Sequence, residues 1–318
     1  MPIQLVSRIA TLPKIQAASI HLSRRDFLRG AAIAGIGAFA GSGCKERAGS
    51  HGNGAGWHAW LSDIHVAADP NATLRDENMA ENLRKVVREV LDADDPPRGF
   101  FVNGDLAFRD GQREDYRTVL NLFKPLRDSR VPIHLTLGNH DDRTRVREAF
   151  LDDAGKEASA VVDKLVGEVN EPKVRYLLLD SLQKPNVTPG RLGREQIAWT
   201  AKALDEDRTS STIVFVHHNL NATWTSALLD TAELLDVLQP RRQVKAVVFG
   251  HTHVWNHRIV NGLHMVNLPA VGYRFMPKQP LAWCVFRPRD DGGELELRCV
   301  GGDRRRDGEK VDLRWRSA

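Results

Sequence analysis

Cysteine is scarce: three in 318 residues, too few for a disulfide framework or a thiolate metal cluster. With Cys44 near the amino end, only Cys284 and Cys299 fall in the body of the chain, where they are expected as two buried or free thiols. Long apolar runs are missing too. Residues 30–40 are too short and too rich in glycine to cross a bilayer, which needs about 20 apolar residues. No other stretch approaches that length, so no transmembrane span is expected. Nor does the main body carry a surplus of one charge. The net formal charge of +4 resides in residues 1–44, where Arg8, Lys14, Arg24, Arg25 and Arg29 face only Asp26. The remainder is neutral, so the sequence pI of about 9.0 carries no nucleic-acid footprint.

The basic beginning has an order of its own. A mixed segment, residues 1–22, precedes Ser23, Arg24, Arg25, Asp26, Phe27, Leu28 and Arg29, and a small apolar run follows. This is the arrangement of a targeting segment. The paired arginines with Phe27 and Leu28 resemble a twin-arginine export signal, which implies passage of the folded protein through the twin-arginine export machinery to the periplasm. Ala38, Phe39 and Ala40 offer a small-x-small cleavage site. Gly41, Ser42, Gly43 and Cys44 resemble, more faintly, a lipoprotein site that would place a lipid anchor on Cys44. Residues 1–44 are therefore read as the signal segment, 45–56 as a flexible glycine-rich linker and 57–318 as one domain.

Hydrophobic residues make up 42% of the chain, enough for a sizeable core. Short apolar runs at 57–61, 99–103, 133–137, 175–179, 212–216 and 245–249 predict strands, and helical spacing over 76–91, 114–126 and 194–204 predicts helices between them. The last part changes character: 264–267, 282–286 and 294–300 are strand-like, with Asp290, Asp291, Gly292 and Gly293 as the clearest turn. The fold class is α/β, with a mixed sheet or a pair of packed sheets and helices outside.

Polar residues gather immediately after the predicted strands, where open α/β sheets bind ligands. Asp63 and His65 follow the first strand, Gly104 and Asp105 the second, and Gly138, Asn139, His140 and Asp141 the third. His217 and His218 follow the fifth, and Gly250, His251, Thr252 and His253 the sixth. Carboxylates and imidazoles without thiolates suit a borderline or hard divalent cation. The candidate ligands Asp63, His65, Asp105, Asn139, His217, His251 and His253 are too many for one ion. Two ions are implied, with Asp105 at a strand tip able to bridge them. The glycines beside the ligands let the backbone turn sharply.

Taken in order, Asp-x-His, Gly-Asp, Gly-Asn-His-Asp, His and Gly-His-x-His resemble the motif series of the calcineurin-like metallophosphoesterase superfamily, over residues 63–253. The resemblance implies a four-layer αββα sandwich of two mixed β-sheets flanked by helices, with the active site at the carboxyl ends of the strands. It assigns Asp63, His65, Asp105 and His253 to one ion, and Asp105, Asn139, His217 and His251 to the other. Manganese, iron or zinc would all suit such donors. His140 then stands beside the ions as acid or transition-state stabiliser, and Asp141 is expected to orient its imidazole by a hydrogen bond. Phe108 and His65 stand where purple acid phosphatases have tyrosine and glycine. With residues 138–143 and Leu179, Asp180 and Ser181, the chain looks closer to the bacterial cyclic-nucleotide phosphodiesterases of class III. Asn219 departs from the family pattern, which has proline there.

The expected reaction is hydrolysis of a small phosphate ester, a diester before a monoester, by hydroxide generated at two cations that bring the pKa of water toward neutrality. A broad-specificity phosphomonoesterase and a non-catalytic metal-binding scaffold are the alternatives. Substrate choice is expected in loops 67–74 and 219–228, which carry no readable code. His218 should point away from His217 and lie behind the ligands. His134, His257 and His264 are expected as structural histidines.

Overall fold

A computed structural model of the chain describes residues 56–151, 159–220 and 225–317. The expected export signal, with its expected cleavage and lipidation sites, and residues 45–55 of the expected linker lie outside the described residues, as does part of the 219–228 loop. Strand β1 (His58–Leu61) is followed by a short ribbon of β2 (Thr73–Leu74) and β3 (Glu77–Asn78). Then come α1 (Met79–Leu91), β4 (Gly99–Asn103), α2 (Arg113–Asp128), β5 (Ile133–Thr136) and α3 (Arg143–Phe150). The chain continues through β6 (Gly167–Glu171), β7 (Val174–Leu178), α4 (Arg194–Glu206), β8 (Thr212–Phe215), α5 (Thr231–Leu238) and β9 (Val244–Phe249). It closes with β10 (Asn256–Val260), β11 (Leu263–Asn267), β12 (Pro280–Arg289), β13 (Gly292–Gly302) and β14 (Lys310–Arg314).

Two six-stranded sheets result. One runs β14-β13-β12-β1-β4-β5, parallel from β1 to β5 and antiparallel elsewhere. The other runs β10-β11-β9-β8-β7-β6, parallel in its centre with antiparallel edges. Alternation along each strand sorts the side chains. On β1, Ala59 and Leu61 join Leu83 and Val86 of α1 and Phe123 of α2, whereas Trp60 turns to the other face. There it stacks on Phe286 at 4.1 Å and joins Phe101, Tyr176 and Phe215 between the sheets. On β8, Ile213 and Phe215 join that central layer while Val214 packs with Leu204 of α4 and Leu234 of α5. Burying each such large side chain is worth roughly 1.5–3 kcal/mol. The outcome is the four-layer αββα sandwich, with one mixed sheet on the other and helices on both outer faces.

The two thiols are free and buried, as expected. His257 and His264 meet across β10 and β11 at 2.9 Å, and His264 Nε2 reaches the Arg314 carbonyl at 2.7 Å, a structural role for both. Helix α1 starts later than the spacing predicted because Glu77 and Asn78 pair with Leu74 and Thr73 in the ribbon. Asn78 then caps the helix, accepting from the Glu81 amide at 2.7 Å. No helix among the described residues is long and apolar enough to cross a membrane.

Candidate metal centre

Strands β1, β4, β5, β8 and β9 each deliver their polar group just past the last strand residue. Five of these residues turn in the left-handed region: Asp63 (φ 54°), His65 (46°), Asp105 (51°), His251 (69°) and His253 (54°). That region costs an L-residue roughly 1–2 kcal/mol, and Asp and His tolerate it better than most. Neighbouring strand ends hold the turns in place. The Asp63 amide donates to the Gly104 carbonyl at 3.1 Å, His65 to Asp105 at 2.9 Å, and Gly272 to Asp63 at 2.9 Å. Close approach explains two of the glycines. A Cβ on Gly138 would lie 2.1 Å from Asp105 Oδ1, and one on Gly250 would lie 2.6 Å from Asp63 Oδ2.

The convergence is tight. Donor atoms lie within 4.8 Å of one another in three groups: Asp63, His65 and His253; His65, Asp105 and His140; and Asp105, His217 and His251. Asp105 Oδ2 is 3.2 Å from His217 Nε2 and 3.6 Å from His65 Nε2. Asp63 Oδ1 is 3.3 Å from His253 Nε2. The far ring nitrogens are tied down: His253 Nδ1 donates to the Tyr273 carbonyl at 2.6 Å, and His217 Nδ1 to the Asn103 carbonyl at 2.8 Å. This aims Nε2 of both at the carboxylates. His217 Nε2 and Asn139 Oδ1 are buried with no hydrogen-bond partner. Inward-facing imidazole nitrogens, carboxylates and an orphaned amide oxygen together fit divalent cations. Every metal-ligand candidate except Asn139 falls in one of the three groups, and Asn139 follows β5 next to His140.

Electrostatics agree with that fit. Burial would raise Asp63, yet His253 and His217 outweigh it and hold the carboxyl at about 2. Burial likewise opposes ionisation of Asp105, and His217 with His65 drives it well below the ordinary range. His65 is lowered by burial to about 3 and His251 to about 4, so both are neutral. At His217 burial is outweighed by Asp105 and Asp63, which push it up to about 10. The same two carboxylates attract any cation placed between them.

Asp141 does something other than expected. Its carboxylate accepts from the amides of Leu106 (3.1 Å), Ala107 (3.1 Å) and Gly138 (2.9 Å) and from the Tyr116 hydroxyl (3.3 Å). It braces the loops after β4 and β5, because the turn from Gly138 folds the side chain back under its own backbone. The His140 imidazole is held by the Arg109 carbonyl, which accepts from Nδ1, while the His140 amide donates to Asp105 Oδ1 at 2.8 Å. His218 lies behind the candidate ligands: Ser181 Oγ meets its Nδ1 at 2.7 Å, and its ring is 4.7 Å from that of His251. Asn219 is buried, and its carbonyl accepts from the Leu228 amide at 3.0 Å.

Sequence reasoning passed over Tyr273 and Phe275. Tyr273 packs on His65 and His253 at 4.7 and 4.6 Å, and Phe275 stacks on His253 at 4.3 Å. Burial, then Asp105 and Asp63, push the Tyr273 phenol up, while Arg75 and Arg109 act against them from the rim. A search for aromatics as well as polar groups after β11 would have found both rings.

The pattern of the calcineurin-like phosphoesterase family matches residues 59–255. The 3′,5′-cyclic adenosine monophosphate phosphodiesterase CpdA of Haemophilus influenzae is 29% identical over 222 residues, covering 68% of this chain and 77% of that protein. CpdA of Pseudomonas aeruginosa is 29% identical over 224 residues, covering 68% and 76%. Among solved structures, a dimetal phosphatase from Danio rerio superposes with a TM-score of 0.66 at 16% identity, covering 83% of this chain and 100% of that one, a likeness of fold.

Proposed function

Because the chain belongs to the calcineurin-like phosphoesterase family and resembles cyclic AMP phosphodiesterases, we propose that it cleaves small phosphodiesters of the cyclic-nucleotide kind at two metal ions. The observation that carries this reading is the pair of donor groups flanking Asp105. Asp63, His65 and His253 would hold one ion and Asn139, His217 and His251 the other, with Asp105 between them. The likeness to CpdA supports a cyclic-nucleotide substrate. Two bound cations would supply charge against the phosphoryl oxygens and acidify water at the site. His140 supplies the proton: with Nδ1–H held by the Arg109 carbonyl, Nε2 is the nitrogen that protonates the departing ester oxygen. Asp141 keeps the loop bearing His140 in place.

The test is to purify the full chain, count bound metal and assay cyclic AMP, bis-para-nitrophenyl phosphate and the para-nitrophenyl monoester, with Asn139→Ala and His140→Ala alongside. About two ions per chain and faster turnover of the diesters are expected. Preference for the monoester would make it a phosphomonoesterase, and metal binding without turnover would leave a scaffold. We further propose export to the periplasm through residues 1–44. Retention of an Arg24→Lys, Arg25→Lys double variant in the cytoplasm is the expected result of fractionation.

A further inference from the structure

We propose that Phe275 and Arg75 form a stacking subsite for an aromatic base at the mouth of the metal centre, an inference that rests on the phosphodiesterase reading above. The segment after β11 is anchored to the loop bearing Asp63 by the Gly272 amide, and Tyr273 fills the space behind His65 and His253. Phe275 is different. Its ring stacks on His253 at 4.3 Å with 29° between the planes, yet the residue remains 46% exposed. The core makes no use of that surface, and Met276 beside it is exposed as well.

A second element faces the same ring. The Arg75 guanidinium lies 5.2 Å from the Phe275 centroid. Arg75 sits in the ribbon turn between β2 and β3 with a φ of 54°, and the adjoining strand is tied to the Phe275 segment by Glu77, 3.4 Å from Arg274. An exposed aromatic face with an exposed cation over it, directly outside a candidate ligand histidine, is what a flat heteroaromatic ring attached to a phosphate can use. The ring displaces one exposed cation–π contact and gains a stack, and the guanidinium remains near the anionic group. An ester with only aliphatic groups would leave this face unfilled. The subsite therefore selects nucleotides among phosphodiesters.

Binding of 5′-AMP and of inorganic phosphate to the manganese-loaded full chain, measured by calorimetry, separates this subsite from the metal centre. Phe275→Ala and Phe275→Leu should weaken 5′-AMP about tenfold and leave phosphate within about twofold, with Phe275→Trp restoring 5′-AMP binding. For cyclic AMP the loss should appear in KM with kcat retained, and the metal content of each variant should match the wild type. Equal weakening of both ligands, or no weakening of either, would overturn the subsite. So would wild-type protein that binds 5′-AMP no better than phosphate while still cleaving diesters. Wild-type protein that cleaves only monoesters would instead remove the reading on which the subsite rests.

Discussion

His58 opens β1 and His65 lies in the loop past its carboxyl end, both buried and both lowered by burial to a pKa of about 3, yet their neighbours have nothing in common. At the amino end, His58 Nδ1 shares a hydrogen bond of 3.0 Å with the Tyr176 hydroxyl, and the ring packs against Phe101 and Phe286. The charged neighbours that act on it, His134 and Arg98, push further toward the neutral form. At the carboxyl end, His65 faces Asp105 and Asp63, and Asp105 works against burial. Its backbone is left-handed, as that of Asp63 is. Burial and a displaced pKa are therefore shared by a packing histidine and a ligand candidate. Convergent carboxylates on a strained backbone separate them.

The difference should break most completely in Asp105→Asn. Turnover is expected to fall roughly a thousandfold with loss of bound metal, and a variant that keeps both would return Asp105 to the ordinary buried polar groups. Next in size, His140→Ala should lower kcat roughly a hundredfold or more while metal content is unchanged. Loss of metal in that variant would make His140 a ligand.

Asp141→Ala tests bracing against orientation. Leaving the amides of Leu106, Ala107 and Gly138 unpaired should reduce the free energy of unfolding by roughly 3 kcal/mol in denaturant titrations. Burial and the Asp105 charge raise Asp141 to about 7 from the 3.8 of a free aspartate. Its contribution is thus complete below about pH 4 and declines as pH rises toward 7. Unchanged stability with lost activity would mean that Asp141 acts on His140 after all.

The smallest effect is at the other end of the strand. His58 titrates at about 3 in the folded protein against 6.5 for the free side chain, so its contribution is complete above pH 6.5 and is lost as pH falls toward 3. His58→Phe should flatten the acid limb of stability by up to about 1.4 kcal/mol per pH unit in that window. Added zinc should shift the imidazole resonances of His65 and leave those of His58 in place. A shift at both would dissolve the contrast.

Much of this was legible in the sequence. The six predicted strands from 57–61 to 245–249 lie within a residue or so of β1, β4, β5, β7, β8 and β9, because each is a run buried on both faces. The edge strands β6, β10 and β14 were not predicted, since one face is open and the apolar pattern is interrupted. Helices α3 and α5 were missed for their length, eight residues each, too short for a clear helical period. The candidate ligands were readable because they directly follow strands. The neighbour of His140 was not, because Arg109 belongs to the loop after β4 and the contact is made by its carbonyl, a group every residue has.

By itself the sequence determined the alternation of strands and helices, the metal-friendly donors and the places along the chain where they stand. These are local properties, set by side-chain chemistry and by periods of two and 3.6 residues. Only the tertiary structure decided that β1 lies between β4 and β12, which brings the loop after β4 against Asp63 and His65. It also decided that Asp141 turns inward to the backbone while Phe275 turns outward beside His253. Such contacts join residues far apart in the chain, and the order in which strands pair is what puts them in reach.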